Sequence, residues 1–314
     1  MSSESVRSRL SRVPFLREAW SEFRRITRTA GGYPIPVAVL EQTLVDMGVG
    51  KGDLLHLQSS VSHLHQGWPT RVPEEAGGQV AYATRIVNML KDLVGPTGTV
   101  MMNTDSLTQA EVRSAWAGVL PADGALFDYA RSPSRRGLIS ELFRRQPGVV
   151  RSVHPWYNMT ALGPAADELM RDNEQSTPYA LDRHSAIWKL TMMGGKVAML
   201  GQGFLGNVPM HLIEYAHADE YPRAVFVNRP VKMTYMDYGR RVQSLDVLLH
   251  AQDWYLTGVA GANFCEYLDR RHGLYKRREF KNATVVCFDA KAQYEASYQE
   301  MKDGVCWYDP QFDG

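Results

Sequence analysis

The chain has 314 residues, of which 44% are hydrophobic and 22% are charged. These fractions are typical of a soluble globular protein and argue against a disordered or fibrous chain. Lysine plus arginine number 35 and aspartate plus glutamate 34, so the formal net charge of +1 gives no electrostatic reason to bind nucleic acid or an anionic membrane.

Neither a membrane-spanning segment nor a secretory signal is predicted. No stretch reaches ~18 consecutive apolar residues, and the arginine-rich N-terminus lacks the apolar core of a signal peptide. The cysteines Cys265, Cys287 and Cys306 are scattered and form no CxxC pair, which favours a reducing compartment over a disulfide framework or a zinc knuckle. We therefore expect a cytoplasmic protein with no metal, no membrane contact and no nucleic-acid partner.

The first predicted element is a basic amphipathic helix within residues 1–33, an appendage to the rest of the chain. Its apolar side chains recur at helical spacing among arginines, and two glycines and two prolines between positions 31 and 36 end it. Such a helix can contact a membrane or a partner. We favour packing on its own domain or on a second subunit, which makes a homodimer possible. Residues 34–314 contain no linker-like segment and are predicted to form a single domain.

Helical and strand patterns then alternate along the chain. Apolar residues at helical spacing are followed by short apolar runs of strand length. Alternating units of this kind predict an α/β fold built in layers. The predicted helices cover residues 37–47, 80–94 and 138–145 and a segment from Pro209, and the predicted strands cover residues 53–58, 99–103 and 196–201.

The segment after Pro209 carries the most informative polar cluster. His211 and Glu214 are three residues apart and so share one helical face. A carboxylate beside an imidazole raises its basicity and fixes its orientation, as a general base requires. A helix-surface pair without chemistry is the alternative. A metal site that adds His217 is a weaker one, because the sequence is not HExxH and His217 lies well round the helix from His211.

Other candidates follow strands or prolines. His154 precedes Pro155 and must be extended, where a histidine is more often packed than catalytic, and Arg151 could meet a phosphate or a carboxylate. Ser59, Ser60 and Ser62 follow a predicted strand, where α/β proteins place binding loops and where hydroxyl and backbone N–H groups could hold an anion or an oxyanion. Ordinary turn chemistry is the alternative.

Two further patterns are weak. Gly201, Gly203 and Gly206 match GxGxxG after a strand, which raises a dinucleotide site as an alternative. His63 and His65 alternate as strand residues would, but they have no neighbouring metal ligands in sequence. There is no GxSxG elbow and no P-loop. Composition and spacing alone therefore indicate an α/β enzyme or ligand-binding protein.

The ordered set of segments resembles the aminoglycoside 3-N-acetyltransferase family. The resemblance covers about residues 37–220, and the C-terminal third matches only loosely, around residues 258–261. The matching segments are GDLLHLQSSV at 52–61, GPTGTVMMN at 95–103, RGLISELFRR at 136–145, RSVHPWYNMTALG at 151–163, GGKVAMLG at 194–201 and PMHLIE at 209–214.

The resemblance implies transfer of an acetyl group from acetyl-coenzyme A to an amine on a sugar-like ring, by direct transfer and without an acyl-enzyme. His211 would be the general base and Glu214 would orient it, with His154 a second catalytic candidate. Ser59 and Ser60 would donate to the oxyanion. For the coenzyme and the acceptor amine it implies these contacts: Ser59, Ser60, Ser62, Arg151, Ser152 and Ser185 for acetyl-coenzyme A; Asp105, Glu111, Asp128 and Trp116 for the amine.

Several positions depart from the family pattern. Gln58 stands where the family usually has a histidine before the two serines, and Asn158 replaces a serine. The segment 62–78 is long and unlike the family's short turn. These departures bear on the acceptor more than on the fold. They leave two alternatives open: a catalytically altered binding protein, and an acyltransferase for a biosynthetic amine. Thiol release would separate the enzyme from the binding protein.

Overall fold

The computed structural model describes residues 34–61, 64, 78–107, 111, 126–250, 258–281 and 283–312. The predicted N-terminal helix lies outside these residues, as do Ser62, His63, His65 and Trp116. Within the described ranges, no helix combines the length and the apolar character needed to cross a bilayer.

Between residues 34 and 216, the described part of the chain mixes helices and strands, as the sequence predicts. The helices are α1 Val37–Asp46, α2 Gly78–Val94, α3 Leu138–Arg144, α4 Ala166–Met170, α5 Ala186–Met192, α6 Leu212–Ala216, α7 Gly258–His272 and α8 Ala290–Lys302. The strands are β1 Leu54–Ser59, β2 Thr99–Asn103, β3 Phe127–Asp128, β4 Val150–Arg151, β5 Met159–Leu162, β6 Lys196–Leu200, β7 Val231–Met236, β8 Val242–Val247, β9 Lys276–Phe280 and β10 Ala283–Asp289.

Seven strands form one mixed sheet in the order β4-β5-β2-β1-β6-β10-β9. The central strand β1 is parallel to both neighbours, β2 and β6, and the outer pairs are antiparallel. The chain leaves β1 towards β2 on one side and later returns to β6 on the other. The carboxyl end of β1 is therefore the point where the winding direction reverses, and α/β proteins bind ligands at such points.

Both faces of the large sheet are covered, which confirms the predicted layered α/β fold. Leu55 and Leu57 of β1 belong to a buried cluster with α1, α2 and α3. Because strand residues alternate between faces, His56 and Gln58 point to the opposite side, where α4 to α8 pack in a second buried cluster. A separate three-stranded sheet, β3-β7-β8, also packs into that second cluster.

The segment from Pro209 differs from the expected helix. A 3-10 turn, Val208–His211, leads into the five-residue helix α6. Asn207 precedes the turn, and its side chain donates to Gln293 at 2.7 Å and does not cap the helix. His211 and Glu214 nevertheless meet, because the turn and α6 continue in one direction.

Gly163 lies where the end of β5 packs closely against the start of β2. It follows β5 with φ +133°, and a Cβ there would lie 2.3 Å from the carbonyl oxygen of Gly98 and 2.6 Å from Oγ1 of Thr99. Gly194 also has a positive φ, +73°, but a Cβ there would meet no atom within 4 Å.

We predict that Gly163→Ala destabilises the fold more than Gly194→Ala. Gly194→Ala should cost ~1 kcal/mol from backbone conformation alone. Gly163→Ala should cost ~3 kcal/mol or more, because backbone must also move. Urea unfolding of both variants measures the difference, and equal midpoints would contradict the packing argument.

Candidate active site

The candidate site is built around the carboxylate of Glu214, which has no exposed surface. Oε1 lies 2.8 Å from Nδ1 of His211 and accepts from the indole N–H of Trp307 at 2.7 Å. Oε2 lies 2.5 Å from Nε2 of His250 and accepts from the Tyr308 hydroxyl at 2.8 Å. A carboxylate presents about four lone-pair positions, and here four donors surround them.

These contacts keep Glu214 ionised. Burial alone would raise the pKa of this carboxyl group, but the adjoining His211 and His250 outweigh it and lower the pKa to about 2. An ionised carboxylate can only accept hydrogen bonds. The ring nitrogens that face it, Nδ1 of His211 and Nε2 of His250, must therefore carry hydrogens.

His211 lies at the edge of this cluster. Its side chain is 11% exposed, whereas that of Glu214 is fully buried. The ring stands edge-on to Trp307, with ring centroids 5.2 Å apart. Because Nδ1 carries the hydrogen that points at Glu214, the neutral ring has its lone pair on Nε2. This is the tautomer that a general base needs, with the base oriented by a carboxylate.

His250 was not identified from the sequence. It follows β8, and its side chain is 3% exposed. Burial lowers the pKa of His250 although Glu214 raises it, so the ring is neutral near pH 7. Its Nδ1 lies 3.3 Å from the hydroxyl of Tyr215. Trp307 and Tyr308 were also missed, because 93 and 94 residues separate them from Glu214 and no local spacing signals the contact.

Gln58 connects this cluster to the central strand. With its amide oriented to satisfy both groups, the nitrogen donates to the carbonyl of Gly206 at 2.6 Å and the oxygen accepts from the N–H of Val208 at 3.0 Å. Val208 begins the turn that carries His211. Gln58 therefore holds that turn against the carboxyl end of β1.

Ser59 and Ser60 lie at the same end of β1 and are half-buried. The Ser60 N–H donates to the carbonyl of Leu200 at 3.0 Å. That backbone group is used inside the fold, which argues against the Ser60 N–H as an oxyanion donor. The position of both serines at the reversal point of the sheet still fits a ligand-binding edge.

The other residues predicted to contact the coenzyme are engaged inside the protein. The Arg151 guanidinium donates to five oxygens, which are the side-chain oxygens of Asn158 and Ser106 and three backbone carbonyls. Burial lowers its pKa to about 9. The Ser152 hydroxyl accepts from the Met159 N–H. The Ser185 hydroxyl caps α5 by accepting from the N–H of Trp188. The polar groups of Arg151, Ser152 and Ser185 thus have partners inside the protein, and their contact with the coenzyme stays a prediction.

Two of the three predicted acceptor carboxylates, Asp105 and Asp128, are paired with arginines. Asp105 is buried, accepts from Nε of Arg136 at 2.5 Å and from the Asn158 N–H, and burial raises its pKa against the effect of Arg136. Asp128 pairs with Arg240 at 3.1 Å. The structure therefore argues against these two as contacts for a cationic amine. Glu111 borders a cleft that Arg135 and Lys232 also line.

His154 is held by backbone on both sides of its ring. Nε2 lies 3.1 Å from the carbonyl of Ser176, and Nδ1 accepts from the N–H groups of Trp156 and Tyr157. Burial lowers the pKa of His154 to about 4. Because both ring nitrogens are occupied by backbone groups, the geometry supports the structural alternative over a catalytic role.

The metal and dinucleotide alternatives gain little from the geometry. His217 lies 2.8 Å from the hydroxyl of Tyr294 and does not join His211. Donor atoms of His211, Glu214 and His250 lie within 4.8 Å of one another, but a metal would displace protons that fill the carboxylate's lone pairs. The glycines at 201–206 precede a four-residue 3-10 turn, whereas a dinucleotide site needs a helix that starts there.

We expect His154 to make the stability pH-dependent. Its pKa is about 4 in the fold against 6.5 ordinarily. The unfolded chain therefore binds the proton first, and stability falls as pH drops below 6.5, by ~2 kcal/mol at pH 5. His154→Asn keeps an acceptor for the local turn but does not titrate.

Urea unfolding at pH 7 and pH 5 measures this effect. The His154→Asn protein should lose ~2 kcal/mol less between the two pH values than the unmodified protein does. An unchanged pH dependence would contradict a buried, neutral His154.

Comparisons with known proteins agree with the resemblance and with the fold. The family model described as aminoglycoside 3-N-acetyltransferase matches residues 72–302. Aminoglycoside N(3)-acetyltransferase VIII of Streptomyces fradiae is 28% identical over 71% of this chain and 75% of its own length. Aminoglycoside N(3)-acetyltransferase VII of Streptomyces paromomycinus is 26% identical over 86% and 93%. The structure of AAC-IIIb in a binary complex with CoASH shares the fold, with TM-score 0.67, 23% identity and coverage of 88% and 99%.

Proposed function

The chain belongs to the aminoglycoside 3-N-acetyltransferase family, and from this premise we propose that it moves an acetyl group from acetyl-coenzyme A to an amine of an aminoglycoside or related amino sugar. The donor is supported by the CoASH complex of a protein with the same fold. The acceptor class is supported by the names of the relatives.

The observation that carries the proposal is the His211–Glu214 pair. An ammonium ion cannot attack a thioester until it has lost a proton. His211 has a tautomer fixed by Glu214 and a side chain that is 11% exposed. Its Nε2 is the proposed acceptor of the amine's proton, and Glu214 favours the imidazolium that forms.

Acetyl-coenzyme A supplies an acetyl group activated as a thioester. The amine nitrogen forms a bond to the carbonyl carbon as the C–S bond breaks. One proton of the ammonium ion passes through His211 to the departing sulfur, and a second is released to solvent. His211 thus acts as a base and then as an acid, and no side chain of the protein needs to carry the acetyl group.

The binding-protein alternative rested on Gln58 and Asn158. Both side chains make contacts that hold the fold. Gln58 holds the turn before His211, and Oδ1 of Asn158 accepts from Arg151 at 2.7 Å. These departures therefore do not by themselves indicate a lost site. Cytoplasmic location, a homodimer and the role of residues 1–33 stay predictions.

We expect His211→Asn to lower kcat/KM by ~10²–10⁴-fold. Asparagine retains a donor near Nδ1 but lacks the second ring nitrogen. Thiol release from acetyl-coenzyme A, measured against a panel of aminoglycosides and simple amino sugars, gives the rate.

His217→Asn is the matched control, because His217 lies just beyond α6 and bonds to Tyr294. It should retain the rate of the unmodified protein. Full activity of His211→Asn, or an equal loss in both variants, would exclude His211 as the base.

We also expect acetyl-coenzyme A to raise the thermal midpoint. At 100 times its Kd, a ligand adds ~2.7 kcal/mol, which corresponds to a rise of a few degrees. NAD and zinc at the same concentration should leave the midpoint unchanged. A shift with NAD or zinc alone would favour one of the alternatives, and no shift with the coenzyme would favour the binding protein.

A further inference from the structure

Glu214 is shared between two imidazoles. His211 approaches Oε1 at 2.8 Å and His250 approaches Oε2 at 2.5 Å, and the two ring centroids are 5.4 Å apart. A base needs only one carboxylate partner, which His211 already has. The second imidazole is buried and has no role in the chemistry described above.

The hydrogen-bond directions around His250 are set by its neighbours. Its Nε2 must carry a hydrogen, because ionised Glu214 only accepts. The neutral ring therefore has its lone pair on Nδ1, where the Tyr215 hydroxyl lies at 3.3 Å. Tyr215, His250, Glu214 and His211 thus form one continuous chain of hydrogen bonds.

The ring of His250 is also held by packing. It stacks on Phe226 with centroids 5.0 Å apart and planes inclined by 27°, and stands edge-on to Tyr215. Its backbone forms an isolated antiparallel bridge with Phe226. The N–H that reaches Glu214 therefore comes from a rigid position.

We propose that His250 is a positioning residue for His211: it fixes the Glu214 carboxylate through Oε2 and so sets how strongly Oε1 holds a proton on His211. This rests on the proposed role of His211 as the base. A carboxylate that accepts from several donors carries less charge towards any one of them. Without His250, Glu214 should hold the His211 imidazolium more tightly.

Several other titratable groups face this carboxylate and stay in place in the test. Tyr215 is on α6, Tyr221 follows it, Tyr157 lies before β5, and Tyr308 comes from the segment after α8; each has its pKa raised by burial and by Glu214. They remain neutral near pH 7. His211 is therefore the contact of Glu214 whose protonation responds to a substitution of His250.

The test uses two variants of His250. His250→Phe keeps an aromatic ring for Phe226 and removes the N–H, and His250→Gln places an amide N–H near the same position. Two-dimensional NMR of ring-¹⁵N-labelled histidine follows the titration of His211 without any acceptor, and the signal absent from His211→Asn identifies it. We expect the His211 midpoint to rise by ~1 pH unit in His250→Phe and to return close to its original value in His250→Gln.

In His250→Phe the acid limb of the pH profile of kcat/KM should also move up by ~1 pH unit. At a given pH below the midpoint, this shift lowers the fraction of unprotonated His211 about tenfold. An unmoved midpoint in His250→Phe, or equal shifts in both variants, would overturn the proposal. If His250→Phe does not fold, His250→Gln decides alone, since a midpoint changed by ~1 unit despite a retained donor contradicts it. Failure of the proposed function itself is separate, because it appears as undiminished turnover in His211→Asn.

Discussion

The buried negative charge of Glu214 organises the region around α6. An ionised carboxylate without exposed surface is costly unless donors replace its water. The four donors around Glu214 come from the turn before α6, from the end of the small sheet and from the segment after α8. The small sheet and the C-terminal segment must therefore dock in one arrangement for Glu214 to be satisfied. That arrangement also orients the His211 ring, because its Nδ1 is bonded to Glu214.

The large sheet contributes the other half of the site. Its winding reverses at β1, and Gln58 at the end of that strand holds the backbone just before His211. The base is thus anchored twice, from the strand through the turn and from the core through Glu214. Anchoring from two independent elements limits the motion of the imidazole, and small displacements of a base are costly to rate.

The sequence predicts most of what is local and little of what is distant. Strand β2 and the pairing of His211 with Glu214 follow from periodicity and from a spacing of three residues. His250 lies 36 residues from Glu214, on an element that no pattern linked to α6. The small sheet was missed because its strands are half-exposed and lack a continuous apolar run.

The surroundings of charged residues are the other feature that the sequence does not give. Arg151 and Asp105 have the side chains that a phosphate or an amine would need, but both lie inside and are satisfied there by Asn158 and Arg136, among others. A sequence shows that a charge is present and not whether a ligand or the protein neutralises it.

For Glu214 there is also a consequence for biosynthesis. Trp307 and Tyr308 are made 93 and 94 residues after it, so a nascent chain that has already made Glu214 still lacks two of the four donors that replace water around this carboxylate. The donor set of Glu214 is completed only after Trp307 and Tyr308 have left the ribosome, so His211 cannot take its final orientation before the segment after α8 has been made.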